Sequence, residues 1–325
     1  MVIGFAGLVS GAMAAPHVAR AATRVIRFGH NNTDESHYAR GSAAFAAAVA
    51  ADPALSAAVR VEVHGNAELG DELSMLKGCA ASTLDGMLCS NAVMGNLISD
   101  FGLLNAPFLF RDVQLARATL DGEIGDEFAK RAAAKAVHVM AWSENGLRHI
   151  TSNQPIRSPA DLHGLKIRVP QSSVMLGGFK ALGADAAPLN FSLLREALRT
   201  GQFQAQENPI VVIEAAKLYE LQKFLSLTGH VYDPAAFICS DDVMDDLTEA
   251  QRTALTACAK KGAAVTREAS ASAQKDGVAR LTAKGMTVVD NVDIPAFRAA
   301  GRPYLESLST SFDTILVKRL LDAAA

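Results

Sequence analysis

The chain has 325 residues and a formal net charge of -3; half of its residues are apolar and 6% are aromatic. That length can bury one large core or two medium ones and suggests about two domains. The charge is well mixed with no basic run, which argues against nucleic acid or an anionic membrane surface as a partner.

Residues 1–22, MVIGFAGLVSGAMAAPHVARAA, are small and apolar, and Ala19-Arg20-Ala21 gives an A-x-A cleavage pattern. They read as a signal peptide of an exported chain, and the segment is too short and glycine-rich for a membrane span. RVIRFGH (24–30) alternates as a first strand and exits into Asn31 and Asn32. A helix follows over 37–51, then the strand VRVEVHG (59–65), then a helix over 69–80 that carries Glu72. LDGMLCS (84–90) reads as a strand ending in the polar pair Ser90-Asn91. The spacing predicts an apolar extended stretch at 105–110, one long helix over about 112–134, and a buried strand at 137–142.

The second half repeats this grammar. LRHITS (147–152) reads as a strand, and SPADLHG (158–164) as a short helix with Ser158 as cap and Pro159 at the first helical position. In GLKIRVP (164–170), Leu165, Ile167 and Val169 alternate with Lys166 and Arg168, and Pro170 ends the ladder. A helix over 172–182 stops at Gly183, 187–191 is extended, and 192–201 is helical. FQAQENP (203–209), KFLSLTGH (223–230) and AAFICS (235–240) read as three strands. No proline interrupts 248–284, which gives one long helix or two abutting ones; a strand at 286–290 and a helical tail from Ile294 complete the chain. The order βαβ repeated predicts an α/β protein with a mostly parallel sheet and helices on its faces.

G-x-S-x-G, H-E-x-x-H, the P-loop and G-x-G-x-x-G are all absent, and the eight histidines are scattered. The acidic pairs Asp241-Asp242 and Asp245-Asp246 read as solvated charges at a helix start. Cys79, Cys89, Cys239 and Cys258 have no C-x-x-C or zinc spacing and small apolar neighbours, so buried free thiols are the simplest reading. Export leaves a Cys239–Cys258 or Cys79–Cys89 disulfide open. The notable polar residues fall at strand ends: Asn31, Asn32, Ser90, Asn91, Arg148, Arg168 and Asn208. The crevice beyond strand carboxyl ends is where open α/β sheets bind ligands. A guanidinium there matches a carboxylate in two parallel hydrogen bonds, and asparagines orient the rest of a molecule. Each has a structural alternative: a rim salt bridge for either arginine, a turn or cap for Asn208.

The blocks APFLF (106–110), NGLRHITSN (145–153), ADLHGLKIRVP (160–170) and EALRTGQFQAQENP (196–209), with AELGDELSML (67–76), resemble the DctP-type solute-binding proteins of tripartite ATP-independent periplasmic (TRAP) transporters. The likeness runs from about 25 to 320. It implies a periplasmic-binding-protein-like α/β fold of two domains closing on a ligand, with a long helix spanning both. The division it implies is a first domain of 23–145 and 234–273 and a second of 146–233 and 274–325. Arg168 would form the main salt bridge to a substrate carboxylate, with Asn208 supporting the same group and Arg148 as a second contact. Phe191 would be an aromatic wall, and Glu72 with Ser90-Asn91 would select the ligand's far end. Gln204 and Ala205 replace the Asp-Gly that usually precedes QENP, and Val93 stands where sialic-acid binders carry an arginine, which argues against sialic acid.

The function this implies is capture of a small organic acid in the periplasm for TRAP membrane subunits, by a monomer needing no cofactor. The alternatives are an exported enzyme acting on a small carboxylate, with Glu207 or His149 as base, and a ligand-sensing binding protein. Strand alternation points Glu207 away from the face of Asn208 and His149 away from that of Arg148.

Overall fold

A computed structural model of the chain describes residues 23–308 and 310–324. The signal-peptide segment 1–22 lies outside them. In chain order the elements are β1 (Arg24–Gly29), α1 (His37–Ala51), β2 (Val59–His64), α2 (Glu72–Ala80), β3 (Gly86–Ser90), α3 (Asn91–Met94), α4 (Val113–Leu120), α5 (Glu123–Ala133) and β4 (Val137–Ser152). They continue with β5 (Lys166–Val169), α6 (Ser173–Ala181), β6 (Asp185–Pro188), α7 (Leu194–Arg199), β7 (Ala205–Pro209), α8 (Ile210–Ala215) and β8 (Phe224–Ser240). The chain closes with α9 (Asp241–Asp245), α10 (Glu249–Ala283), β9 (Thr287–Val289), α11 (Ile294–Leu308) and α12 (Thr314–Ala324).

One sheet runs through the molecule in the order β2-β1-β3-β8-β4-β7-β5-β6, with β9 beside β8. The pairs β1–β2, β1–β3, β5–β6, β5–β7 and β8–β9 are parallel, as the sequence predicts. The pairs β3–β8, β4–β8 and β4–β7 are antiparallel, so the sheet is mixed rather than mostly parallel. The cause is that four short strands in the sequence reading are two long ones. β4 joins 137–142 to 147–152 through Gly146, and β8 joins 223–230 to 235–240 through Asp233-Pro234. Gly146 sits at φ +130°, and the ladder shifts register between Glu144 and Gly146, so the residues that read as breaks are irregularities inside continuous strands.

The first half packs Phe28, Phe45 and Phe237 against one another, with ring centroids 5.1–5.7 Å apart, under α1 and α10. In the second half Ile167, Val169, Phe179 and Phe297 form one apolar cluster and Ile210, Ile213 and Leu281 another. α10 is one continuous helix of 35 residues, roughly 50 Å long. Its small buried residues allow close approach: a Cβ on Gly262 would lie 2.7 Å from the Gly41 carbonyl oxygen, and one on Gly277 2.4 Å from Ile210. It therefore packs on α1 near its start and on α8 near its end, the spanning helix that the resemblance implies.

Several expectations need correction. The helix expected over 112–134 is two, α4 and α5, separated at Asp121-Gly122. Residues 105–110 are not extended throughout: Asn105 ends a 3-10 helix at Ser99–Asn105, and the chain then turns, with Phe108 at φ +57°. Only Asp241 and Asp242 lie in the first turn of α9; Asp246 is past its end and pairs with Arg24. The final helix does not stay with the second half. α12 places Leu316, Val317 and Leu320 in the cluster of Phe101, Phe110 and Phe128, and the Ala323 carbonyl accepts from Thr119. All four cysteines are free and buried.

Candidate functional site

β5 holds Ile167 and Val169 in the apolar core and ends at Pro170, which fixes the strand on both sides of Arg168. The Arg168 side chain is 3% exposed. Its Nε and Nη2 donate to the Leu189 carbonyl at 2.8 and 2.5 Å, and among the described residues it forms no ion pair. Burial pulls its guanidinium down to about 10, partly countered by the charge of Glu207. This is a preorganised, desolvated cation without a counter-ion.

Arg148 is equally buried and entirely different in its partners. Its Nε and Nη2 bind the Glu207 carboxylate at 2.5 and 2.8 Å, and its Nη1 binds Asp233 at 2.7 Å. Nη2 also donates to Asn208 Oδ1 at 3.2 Å. Burial opposes its charge, but the two carboxylates more than offset that and hold it above the ordinary guanidinium range. Alternation sets Glu207 on the face opposite to that of Asn208, which pairs with His149. In the ladder Glu207 opposes Ile150 and Arg148 opposes Pro209, so Glu207 and Arg148 share a face and pair. Glu207 also contacts His230 at 3.1 Å, while His149 Nδ1 accepts from the Gly229 amide.

Two adjoining cavities, of about 300 and 310 Å³, lie at these strand ends and share Asn31, Glu72, Arg168, Pro170 and Phe191 as walls. Asn32, Ser90, Arg148 and Asn208 line the second of them. Of the nine residues singled out from sequence, eight therefore meet at one site. Asn91 does not line it. Its Nδ2 donates to the Phe101 carbonyl at 2.7 Å and to Asn105, which anchors the 3-10 segment below the site.

α2 begins beside the cavity because Asp71 caps it, accepting from the Leu73 and Ser74 amides. That places Glu72 where its carboxylate accepts from the Ser90 amide at 2.7 Å and Asn31 Nδ2 at 2.9 Å. Burial pushes the Glu72 carboxyl up to about 8. Sequence reasoning missed Tyr38, Asn145 and Asn190, which also line the cavities, and Asp233, which organises them. Asp233 is fully buried and accepts from Ser90 Oγ, Asn105 Nδ2, Asn145 Nδ2 and Arg148 Nη1. Tyr38 sits at helical spacing with Phe45 and reads as core; Asp233 precedes a proline and reads as a turn.

A larger groove of about 1360 Å³ lies between α5 and α10. Its arginines, Arg117 and Arg267, are already paired with Glu144 and Asp121, so it offers an anion no free buried cation. Among the described residues no group of three or more histidine, cysteine, aspartate or glutamate side chains could hold a metal ion. No helix is long and apolar enough to cross a membrane among the described residues. What the cavity offers chemically is a buried guanidinium with no ion-pair partner among the described residues, a group suited to an anion.

Residues 28–311 match the pattern of bacterial extracellular solute-binding protein, family 7. The chain is 34% identical over 243 residues to the 2,3-diketo-L-gulonate-binding periplasmic protein of Escherichia coli, covering 74% of each. It is 33% identical to a TRAP periplasmic solute-binding protein from Polaromonas bound to D-erythronate, with a TM-score of 0.89 over 93% of this chain and 99% of that one. A sugar acid binding protein from Advenella mimigardefordensis, in complex with galactonate, is 32% identical with a TM-score of 0.88, over 93% of this chain and 98% of that one.

Proposed function

Because this chain belongs to the bacterial extracellular solute-binding proteins of family 7, which are transport proteins rather than enzymes, we propose that it captures a small organic acid on Arg168 and delivers it to the membrane subunits of a TRAP transporter. The observation that carries this reading is the buried Arg168 guanidinium, bonded among the described residues only to the Leu189 carbonyl and lining the cavity. A charge in that position is costly unless an anion reaches it. The relatives' ligands named above share a carboxylate, and Arg168 can hold one through a charge-assisted pair. Asn208 supports the same group through its place beside Arg148, and Asn31, Asn32, Glu72, Ser90 and Phe191 form the remaining walls. Glu207 and His149, the bases an enzyme would need, are absent from the cavity walls.

The same reading places the protein in the periplasm as a monomer, with residues 1–22 removed. It puts the boundary between the two domains where Asn145-Gly146 and Asp233-Pro234 lie side by side in the ladder. Closure about that line brings Arg168 to a ligand held by the first domain.

The test is a thermal-shift screen of ligand-stripped protein against C4-diacids, sugar acids, keto acids and aromatic acids, each beside its uncharged alcohol or amide. A carboxylate at about 100 times its Kd adds roughly 2.7 kcal/mol and raises the midpoint by a few degrees. An alcohol that stabilises as well as its acid would refute the role of Arg168.

A further inference from the structure

The buried charges around the cavity do not balance, and the imbalance falls on one carboxyl. Two guanidiniums, Arg148 and Arg168, stand against three carboxyls, Glu72, Glu207 and Asp233, and none of the five is more than 9% exposed. Arg148 serves two of the three, binding Glu207 at 2.5 Å and Asp233 at 2.7 Å. Glu207 also has His230 at 3.1 Å. Glu72 forms no ion pair among the described residues. Its two oxygens accept only from neutral N–H groups, the Ser90 amide at 2.7 Å and Asn31 Nδ2 at 2.9 Å. Ser90 joins it to a second carboxylate, because the Ser90 hydroxyl donates to Asp233 at 3.0 Å. Arg168 and Arg148 attract Glu72 from β5 and β4, and Asp233 repels it from β8. Tyr38 on α1 and Cys89 on β3 also face it, and burial keeps both neutral. On α2 itself Asp71 caps the helix and Lys77 lies in the last turn.

Glu72 and Arg168 are walls of the same two cavities. A carboxylate entering on Arg168 therefore brings a further negative charge beside Glu72 and neutralises a cation that offsets it. In a desolvated space two such groups disfavour each other's ionised forms. We propose that the carboxylate and a proton are held in this site together: Glu72 is a neutral carboxylic acid in the complex, and a ligand that meets an ionised Glu72 draws a proton onto it from solvent. This step rests on the carboxylate reading above. Each Glu72 oxygen accepts one N–H, which leaves a lone pair on each to take the proton. Without a ligand, burial already pushes the carboxyl up to about 8. The share of protein that carries the proton thus falls from about nine-tenths at pH 7 to about one-tenth at pH 9, and affinity falls about 10-fold with it. The ligand's own carboxyl titrates far below this range, and Arg168, at about 10, changes little within it.

The test is calorimetric titration of ligand-stripped protein with D-galactonate and with D-erythronate at pH 6.5, 7 and 9. Buffers of different protonation enthalpy count the protons taken up. The expected result is almost no uptake at pH 6.5, about 0.9 proton per ligand at pH 9, and a Kd about 10-fold weaker at pH 9 than at pH 7. Glu72→Gln should abolish both the uptake and the pH dependence. Binding without proton uptake at pH 9, or full uptake in Glu72→Gln, overturns this inference and leaves the carboxylate reading standing. No binding by either acid overturns both. Infrared difference spectra of wild type against Glu72→Gln give a second arm that needs no affinity. The carbonyl stretch of a protonated carboxyl should be present at pH 7 with and without D-galactonate, and at pH 9 it should persist fully only with it. A band missing at pH 7, or lost equally at pH 9 in both samples, overturns the inference.

Discussion

Replacing Arg168 by Met and Arg148 by Met should change the stability of the unliganded protein in different ways, although both side chains are buried. With its guanidinium held at about 10 by burial, the charged form of Arg168 is disfavoured by roughly 3 kcal/mol relative to water. Arg168→Met removes that penalty but strips the Leu189 carbonyl of its two donors, which costs about 1–3 kcal/mol. The net expectation runs from no change to a gain of about 2 kcal/mol. Arg148→Met instead leaves the Glu207 and Asp233 carboxylates buried without their cation, and it should lose about 3–5 kcal/mol. The assay is urea unfolding of protein refolded from denaturant to remove ligand, followed by fluorescence of Trp142, the single tryptophan, which is 8% exposed. A loss above about 3 kcal/mol in Arg168→Met, or equal losses in the two variants, would refute the view that Arg168 is reserved for a ligand.

Stability of the unliganded protein should peak near pH 6.5. Burial holds His37 at about 3 and His149 at about 4, so between those values and about 6.5 the unfolded chain binds more protons and stability rises with pH. Glu72 at about 8 acts the other way: from about 4.5 to 8 the folded chain holds the extra proton and stability falls by roughly 1.4 kcal/mol per pH unit. The two histidines outweigh Glu72 below 6.5, and Glu72 acts alone above it; urea midpoints that keep rising through pH 8 would contradict this, and Glu72→Gln should flatten the fall. Gly262→Ala should lose about 1–3 kcal/mol, read by the same unfolding curve, because its methyl would meet the Gly41 carbonyl at 2.7 Å. All four thiols should resist a thiol reagent in the native protein and react together on unfolding, since all are buried and free; rapid reaction of any one in native buffer would contradict the packing.

The local elements were legible in the sequence wherever a side chain announces its own surroundings. Arg168 between Ile167 and Val169, with Pro170 behind it, states both its strand and its exit, and eight of the nine residues singled out from the sequence line the same two cavities. What stayed hidden depends on pairing. Gly146 and Pro234 read as breaks because their local preferences are those of turns, while the ladder between β4 and β8 carries them as irregularities. The Arg148–Glu207 pair could not be seen without the register of β4 on β7, which sets the two on one face. Tyr38 and Asn91 exchanged roles for a related reason. A tyrosine on an apolar helix and an asparagine after a strand have opposite average habits, and only packing put the first at the cavity and the second behind it.

The proposed role of Arg168, to hold the ligand's carboxylate, is tested by calorimetric titration of ligand-stripped wild-type and Arg168→Ala protein with the acid that stabilises the wild type most. Arg168→Ala should lose about 2–5 kcal/mol in binding, roughly 30-fold to several thousand-fold in Kd. A variant that binds within about threefold of wild type would contradict it.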